Sequence, residues 1–207
     1  MGSDVTELVV VRHGESTWNV ESRFTGQADP PLSERGQGQA ADLARRCAAL
    51  RIDAVVTSDL DRAFTTGLVV SSRLGLPPPV PLPSLRERWN RTLEGMVSPD
   101  IEARFPGVIA AWREARPVSL PGDFEDYDAF AARVTDGLIE AAGHGGRVLV
   151  VAHAGVFVVL DQLTGAAVAG GIGNAEGRRI MVEPDGRLVG GDPVRVDEPC
   201  GFFSGGW

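Results

Sequence analysis

Two short runs, Leu8-Val9-Val10-Val11 and Val148-Leu149-Val150-Val151, constrain this chain more than any other feature. Each is continuously apolar and rich in β-branched residues, the pattern of a strand buried on both faces by helices. Both runs end in histidine: "VVVRH" reaches His13 and "LVVAH" reaches His153. Ligands of open α/β sheets bind at the carboxyl ends of parallel strands, so both imidazoles are expected to face one crevice.

Around these runs, strand and helix patterns alternate from one end to the other, which predicts an α/β fold with a mostly parallel sheet. Strands are expected over 7–12, 54–58 and 147–153. Ser33 caps a helix over about 34–50, in which Ala40, Leu43, Ala44, Cys47 and Leu50 recur at helical spacing. Further helices are expected over 62–74, over 98–116 with a break at Pro106-Gly107, over 127–142 after an Asp126 cap, and in "GVFVVLDQLTG". The proline-rich "LGLPPPVPLPSLRER" reads as an extended connection leading to a short strand or turn near Leu85, and "RRIMVEPDGRLVGG" as a hairpin turning at Asp185-Gly186. The aromatic tail, with Phe202, Phe203 and Trp207, leaves three uses open: packing within the chain, covering the site, or a homodimer contact.

Charge excludes several functions. A formal net charge of -8 gives no long-range attraction to a phosphate backbone, so no nucleic-acid partner is expected and an anionic ligand must be held by a local pocket. No apolar run approaches a membrane span and no targeting segment is visible, so the expected setting is cytoplasmic, with no membrane partner. All 20 basic residues are arginine. Without lysine there is no Schiff-base, phosphate-loop or general-base lysine, and phosphate recognition falls to arginine forks, backbone N–H groups and histidine. The two cysteines and three histidines show no metal-ligand spacing, so no metal is expected; Cys47 reads as helix core and His144, between glycines, as a solvated loop residue.

A phosphoryl group between His13 and His153 makes chemical sense of these residues. A neutral imidazole nitrogen attacks phosphorus, and a covalent phosphohistidine divides one difficult displacement into two easier ones. Arg12 adjoins His13, and Arg62 opens the helix after "TSDLDR", where helix dipole and free N–H groups also favour an anion. A leaving alkoxide needs a proton. Glu87, in "LRERW" among Arg86, Arg88 and Arg91, is the expected donor, while Glu15 is assigned to the loop wall.

The blocks "RHGES" with "TWN", "TSDLDRAFTT", "LRER" with "LEG", and "VVAHAG", in that order over about residues 7–165, resemble the histidine phosphatase superfamily, also called phosphoglycerate mutase-like. The resemblance implies a three-layer α/β/α sandwich with a mostly parallel central sheet, one domain over 1–207 with a small cap at about 77–125. It implies His13 as the phosphorylated nucleophile, Arg12, Arg62 and His153 as the rest of the phosphate pocket, and Glu87 as proton donor. Ser16, Asn19, Thr25, Gly26 and Ala154 match positions that contact the phosphoryl group or substrate. It further implies a small phosphorylated metabolite as partner, with no metal and no organic cofactor. Two departures bear on the reaction: "RWNRT" replaces an acidic-aromatic-glycine run, and the span between Glu87 and His153 is shorter than in the mutases. The short span favours hydrolysis over a mutase's phosphoryl transfer. A non-catalytic phospholigand-binding domain is the third reading, against which all five chemical residues are retained.

Overall fold

The computed structural model describes residues 5–113, 122–165 and 172–190. Strands β1 (Thr6–Arg12), β2 (Ala54–Thr57), β3 (Val80–Pro81), β4 (Arg147–Ala152), β5 (Gly177–Val182) and β6 (Leu188–Gly190) form one sheet in the order β3-β2-β4-β1-β5-β6. The pairs β1–β4, β2–β4 and β2–β3 are parallel, whereas β5 is antiparallel to β1 and β6 to β5. Arg12 lies opposite Ala152 in the central parallel pair, so His13 and His153 leave the sheet together, one residue later on each strand.

Strand alternation distributes the two apolar runs between two helical layers. Leu8, Val10, Val148 and Val150 pack with Phe130, Val134 and Leu138 of α6 (Tyr127–Ala142) and with Val156, Phe157 and Leu160 of α7 (Ala154–Thr164). Val9, Val11, Leu149 and Val151 pack on the other face with Leu43, Ala44 and Cys47 of α2 (Glu34–Cys47) and with Ala63 and Val70 of α3 (Asp61–Leu74). The result is a three-layer α/β/α sandwich. Each fully buried side chain of this kind contributes roughly 1.5–3 kcal/mol, which makes the strand ends a rigid platform. Cys47 is buried in this core, and burial pushes its thiol up to about 11.

Several expectations shift. A four-residue helix, α1 (Thr17–Val20), was not legible; it is too short to carry periodicity and is defined by its cap. The helix expected to run to 50 stops at Cys47, although Ser33 caps it through a bond from the Gly36 N–H. Part of the stretch assigned to the cap belongs to the sheet, because Val80 and Pro81 pair with β2 and a 3-10 turn, Pro83–Leu85, follows. Beyond it, α4 (Ser98–Arg104) and α5 (Val108–Arg113) flank Pro106-Gly107, and Leu93, Ile101 and Val108 form a separate apolar cluster. The β5–β6 turn spans three residues, Pro184 to Gly186, with the Glu183 N–H on the Arg187 carbonyl at 2.9 Å and Gly186 at φ +84°. Cys200 and the tail aromatics Phe202, Phe203 and Trp207 lie outside the described residues. Among the described residues, no helix is long and apolar enough to cross a membrane.

Candidate active site

His13 stands at the end of β1, buried, in a turn that only a glycine allows. A Cβ on Gly14 would press on the carbonyl of Gly36 in α2, and one on Gly36 would overlap the carbonyl of Glu15. This close approach orients the imidazole: its Nδ1 lies 2.6 Å from the Gly14 carbonyl, which accepts only if Nδ1 carries the proton. The lone pair is thereby placed on Nε2. That atom faces the Nε–H of Arg62 at 3.3 Å, long for a hydrogen bond and easily exchanged for another partner. Burial, followed by the nearby Arg62 and Arg12 charges, holds His13 well below the usual histidine range, so the ring is neutral.

His153 caps α7 at the end of β4, its ring centroid 5.1 Å from that of His13. It is fully buried, and neither ring nitrogen has a hydrogen-bond partner among the described residues. A buried polar ring left this way is costly and points to a polar group that the site is built to receive. Burial and the Arg62 charge keep it neutral as well.

Both arginines are buried and aimed by carbonyls. In the first turn of α3, Arg62 donates to the carbonyls of Ala28 at 2.8 Å and Gly26 at 2.9 Å, and lies 3.5 Å from Asp29. Arg12 donates to the Ile172 carbonyl at 2.8 Å, and burial lowers its pKa to about 10 against the opposing pull of Glu87. Glu87 is therefore close enough for its charge to act on both guanidiniums. Its Oε2 accepts the Gly155 N–H of α7 at 3.0 Å, and its Oε1 accepts the Arg88 N–H at 2.8 Å. A Cβ at residue 155 would overlap Oε1, so any larger residue there would displace the Glu87 carboxylate.

The arginines expected around Glu87 point elsewhere. Arg86 forks onto Asp59 at 2.7 and 2.6 Å, Arg91 is exposed beside Asp123, and Arg88 donates to the Glu125 carbonyl while lying over the Phe124 and Tyr127 rings. The N-terminus of α3 is likewise occupied: the Asp61 N–H is held by the carboxylate of Asp29 at 2.9 and 3.0 Å. The N-terminus of α7 also meets the site, through the Gly155 N–H on Glu87.

The side-chain oxygens of Ser16 and Asn19 each accept the other's backbone N–H in a capping box around α1, and Asn174 bridges the His13 carbonyl at 3.0 Å and Asn19 Oδ1 at 3.5 Å. Gly26 is buried at φ +49°, with its carbonyl on Arg62, and half-buried Thr25 closes the same loop through the Ala28 N–H at 3.0 Å. Ala154 is the half-buried first residue of α7. Glu15 stands in the loop wall, bonded to Ser33 at 2.8 Å and Arg35 at 3.3 Å, and His144 is exposed. Thr66, which sequence alone did not single out, accepts the Gly14 N–H at 3.0 Å and donates to the Arg62 carbonyl at 2.7 Å, joining the His13 turn to α3. A buried threonine four residues past Arg62 was its only signal.

Residues 8–185 match the model of the histidine phosphatase superfamily (branch 1). The chain is 36% identical over 178 residues to a metal-independent phosphoserine phosphatase of Arabidopsis thaliana, covering 84% of this chain and 75% of that protein. It is 35% identical over 176 residues to a 2,3-bisphosphoglycerate-dependent phosphoglycerate mutase of a Methylobacterium species, covering 79% and 84%. Among solved structures, a mycobacterial glucosyl-3-phosphoglycerate phosphatase in complex with VO3 superposes with a TM-score of 0.75 at 31% identity, covering 84% of this chain and 90% of that one.

Proposed function

Because this chain belongs to the histidine phosphatase superfamily (branch 1) and is a phosphoric monoester hydrolase, we propose that it dephosphorylates a small phosphorylated metabolite through a phosphohistidine on His13. The observation that carries the reading is the fixed tautomer of His13, whose Nε2 lone pair shares one buried pocket with Arg12, Arg62 and His153. Nε2 attacks phosphorus, the bond from phosphorus to the ester oxygen breaks, and Glu87 gives its proton to that oxygen as the alcohol leaves. The Glu87 carboxylate then takes a proton from water, whose oxygen attacks phosphorus; the P–N bond breaks, and phosphate and free His13 result. The two guanidiniums and the His153 ring, donating a hydrogen bond, stabilise the charge on the transferring oxygens.

Phosphoryl transfer back to an alcohol is the second reading, favoured by mutase relatives at almost the same identity as the phosphatase. A bisphosphate needs further cations for its second phosphate. The arginines of the flanking segments already hold carboxylates: Arg23 pairs with Glu21 at 2.5 Å, Arg35 with Glu15 at 3.3 Å, Arg86 with Asp59 at 2.6 Å and Arg91 with Asp123 at 3.5 Å. This supports hydrolysis. A panel of sugar phosphates, phosphoglycerates, phosphoserine and nucleotides assayed for free phosphate identifies the substrate. His13→Ala is expected to abolish both hydrolysis and covalent labelling by radiolabelled substrate while the protein stays folded; undiminished turnover in that variant overturns the mechanism.

A further inference from the structure

Glu87 lies on neither a strand nor a helix, yet a proton donor works only if its carboxyl is held within a fraction of an ångström. The holding group comes from α6. Arg133 grips the carboxylate of Glu125 through Nε at 2.6 Å and Nη2 at 2.7 Å. Its Nη1 donates to the carbonyls of Ser84 at 2.9 Å and Arg86 at 2.8 Å, and its Nη2 donates to the carbonyl of Glu87 itself at 3.0 Å. A guanidinium has five N–H groups, and these five bonds use them all. Glu125 completes the hold from the other side: its Oε2 accepts the Trp89 N–H at 3.3 Å, and its own N–H donates to the Trp89 carbonyl at 3.0 Å. The backbone is thus pinned immediately before, at and after Glu87.

Both charges are largely withdrawn from solvent, with side chains only 23% and 10% exposed. A buried ion pair adds little stability over well-packed apolar side chains, so its value here lies in the geometry it imposes. An ammonium group has three donors and no plane, and cannot reproduce the fork together with three carbonyl contacts. We propose that Arg133 and Glu125 are positioning residues that set the place of the Glu87 carboxyl relative to the leaving oxygen, an inference that rests on Glu87 as proton donor.

Leaving groups separate positioning from structural support. A p-nitrophenolate departs with little need of a proton, whereas an alkoxide needs one, and kcat/KM reads the steps up to irreversible loss of the alcohol. Wild type, Arg133→Lys, Glu125→Gln and Glu87→Gln are compared on p-nitrophenyl phosphate and on the alkyl ester turned over fastest in the panel, with thermal unfolding run on each. Arg133→Lys is expected to lower kcat/KM for the alkyl ester about 100-fold and for the aryl ester no more than about threefold, with Glu87→Gln showing the same selectivity. Should Arg133→Lys fail to fold, Glu125→Gln, which keeps the side-chain volume, is expected to show the selectivity in weaker form. Equal losses on both esters in a folded brace variant, or none on either, overturn the positioning role while a selective Glu87→Gln leaves the donor intact. A Glu87→Gln variant that slows both esters equally removes the donor reading, and this inference with it.

Discussion

Two neutral histidines in one buried pocket make the stability of this protein depend on pH. Burial and the charges of Arg62 and Arg12 depress the proton affinity of His13 and His153 in the folded state, whereas in the unfolded chain both titrate at the ordinary histidine value. Below about pH 6.5 the unfolded state therefore binds more protons than the folded one. The stabilisation is fully present above that pH and is lost as pH falls toward the depressed folded values, with a slope approaching about 1.4 kcal/mol per pH unit for each ring. Urea unfolding between pH 7.5 and 5.5 is expected to show this decline, reduced by about half in His153→Gln; a flat profile in the wild type contradicts neutral burial. At this scale the candidate residues were legible in the sequence, since arginine and histidine at a strand end are unusual on any buried run. The tautomer of His13 was not, because it depends on how the Gly14 carbonyl is turned.

Helix α2 carries two glycines in its first turns with opposite consequences. Gly36 is buried against the carbonyl of Glu15, and a methyl group there would force the His13 turn away from the helix. Gly38 is exposed and a Cβ would meet nothing within 4 Å. Gly38→Ala is expected to stabilise the protein by about 0.5–1 kcal/mol through helix propensity, and Gly36→Ala to destabilise it by about 1–3 kcal/mol through overpacking, both read from urea denaturation. The converse order would show that the contact between α2 and the turn is slack. Long periodic elements were legible: α2, α3, α6, β1 and β4 appear within a few residues of expectation, because burial on one face or both imposes a countable period. The two-residue β3 and four-residue α1 have no period to count; pairing and capping create them.

Across the whole molecule, the proposed reaction depends on what converges at the ends of β1 and β4. Arginine, histidine and glutamate supply every role in the proposed mechanism. Among the described residues, no three His, Cys, Asp or Glu side chains are grouped to hold a metal ion. Under the proposed mechanism excess EDTA is expected to leave the rate unchanged, and phosphate release is expected to equal alcohol release with no bisphosphate primer added. A rate restored only by a divalent cation, or isomerised product in place of phosphate, is incompatible with a metal-independent hydrolase.

The sequence by itself determined the layered fold and marked the candidate residues for a phosphate pocket at the strand ends. Hydrophobic period dictates which faces are buried, and parallel strands deliver their carboxyl ends to one edge. Only the tertiary structure decided which groups hold Glu87, at its carboxylate and at its backbone carbonyl. Its partner Gly155 is 68 positions away, and its brace Arg133 is 46. The neighbouring arginines, close in sequence, turn to Asp59, Glu125 and Asp123 instead. No local period encodes such contacts, because they form between a loop and two helices, α6 and α7, whose placement is settled by packing on the sheet.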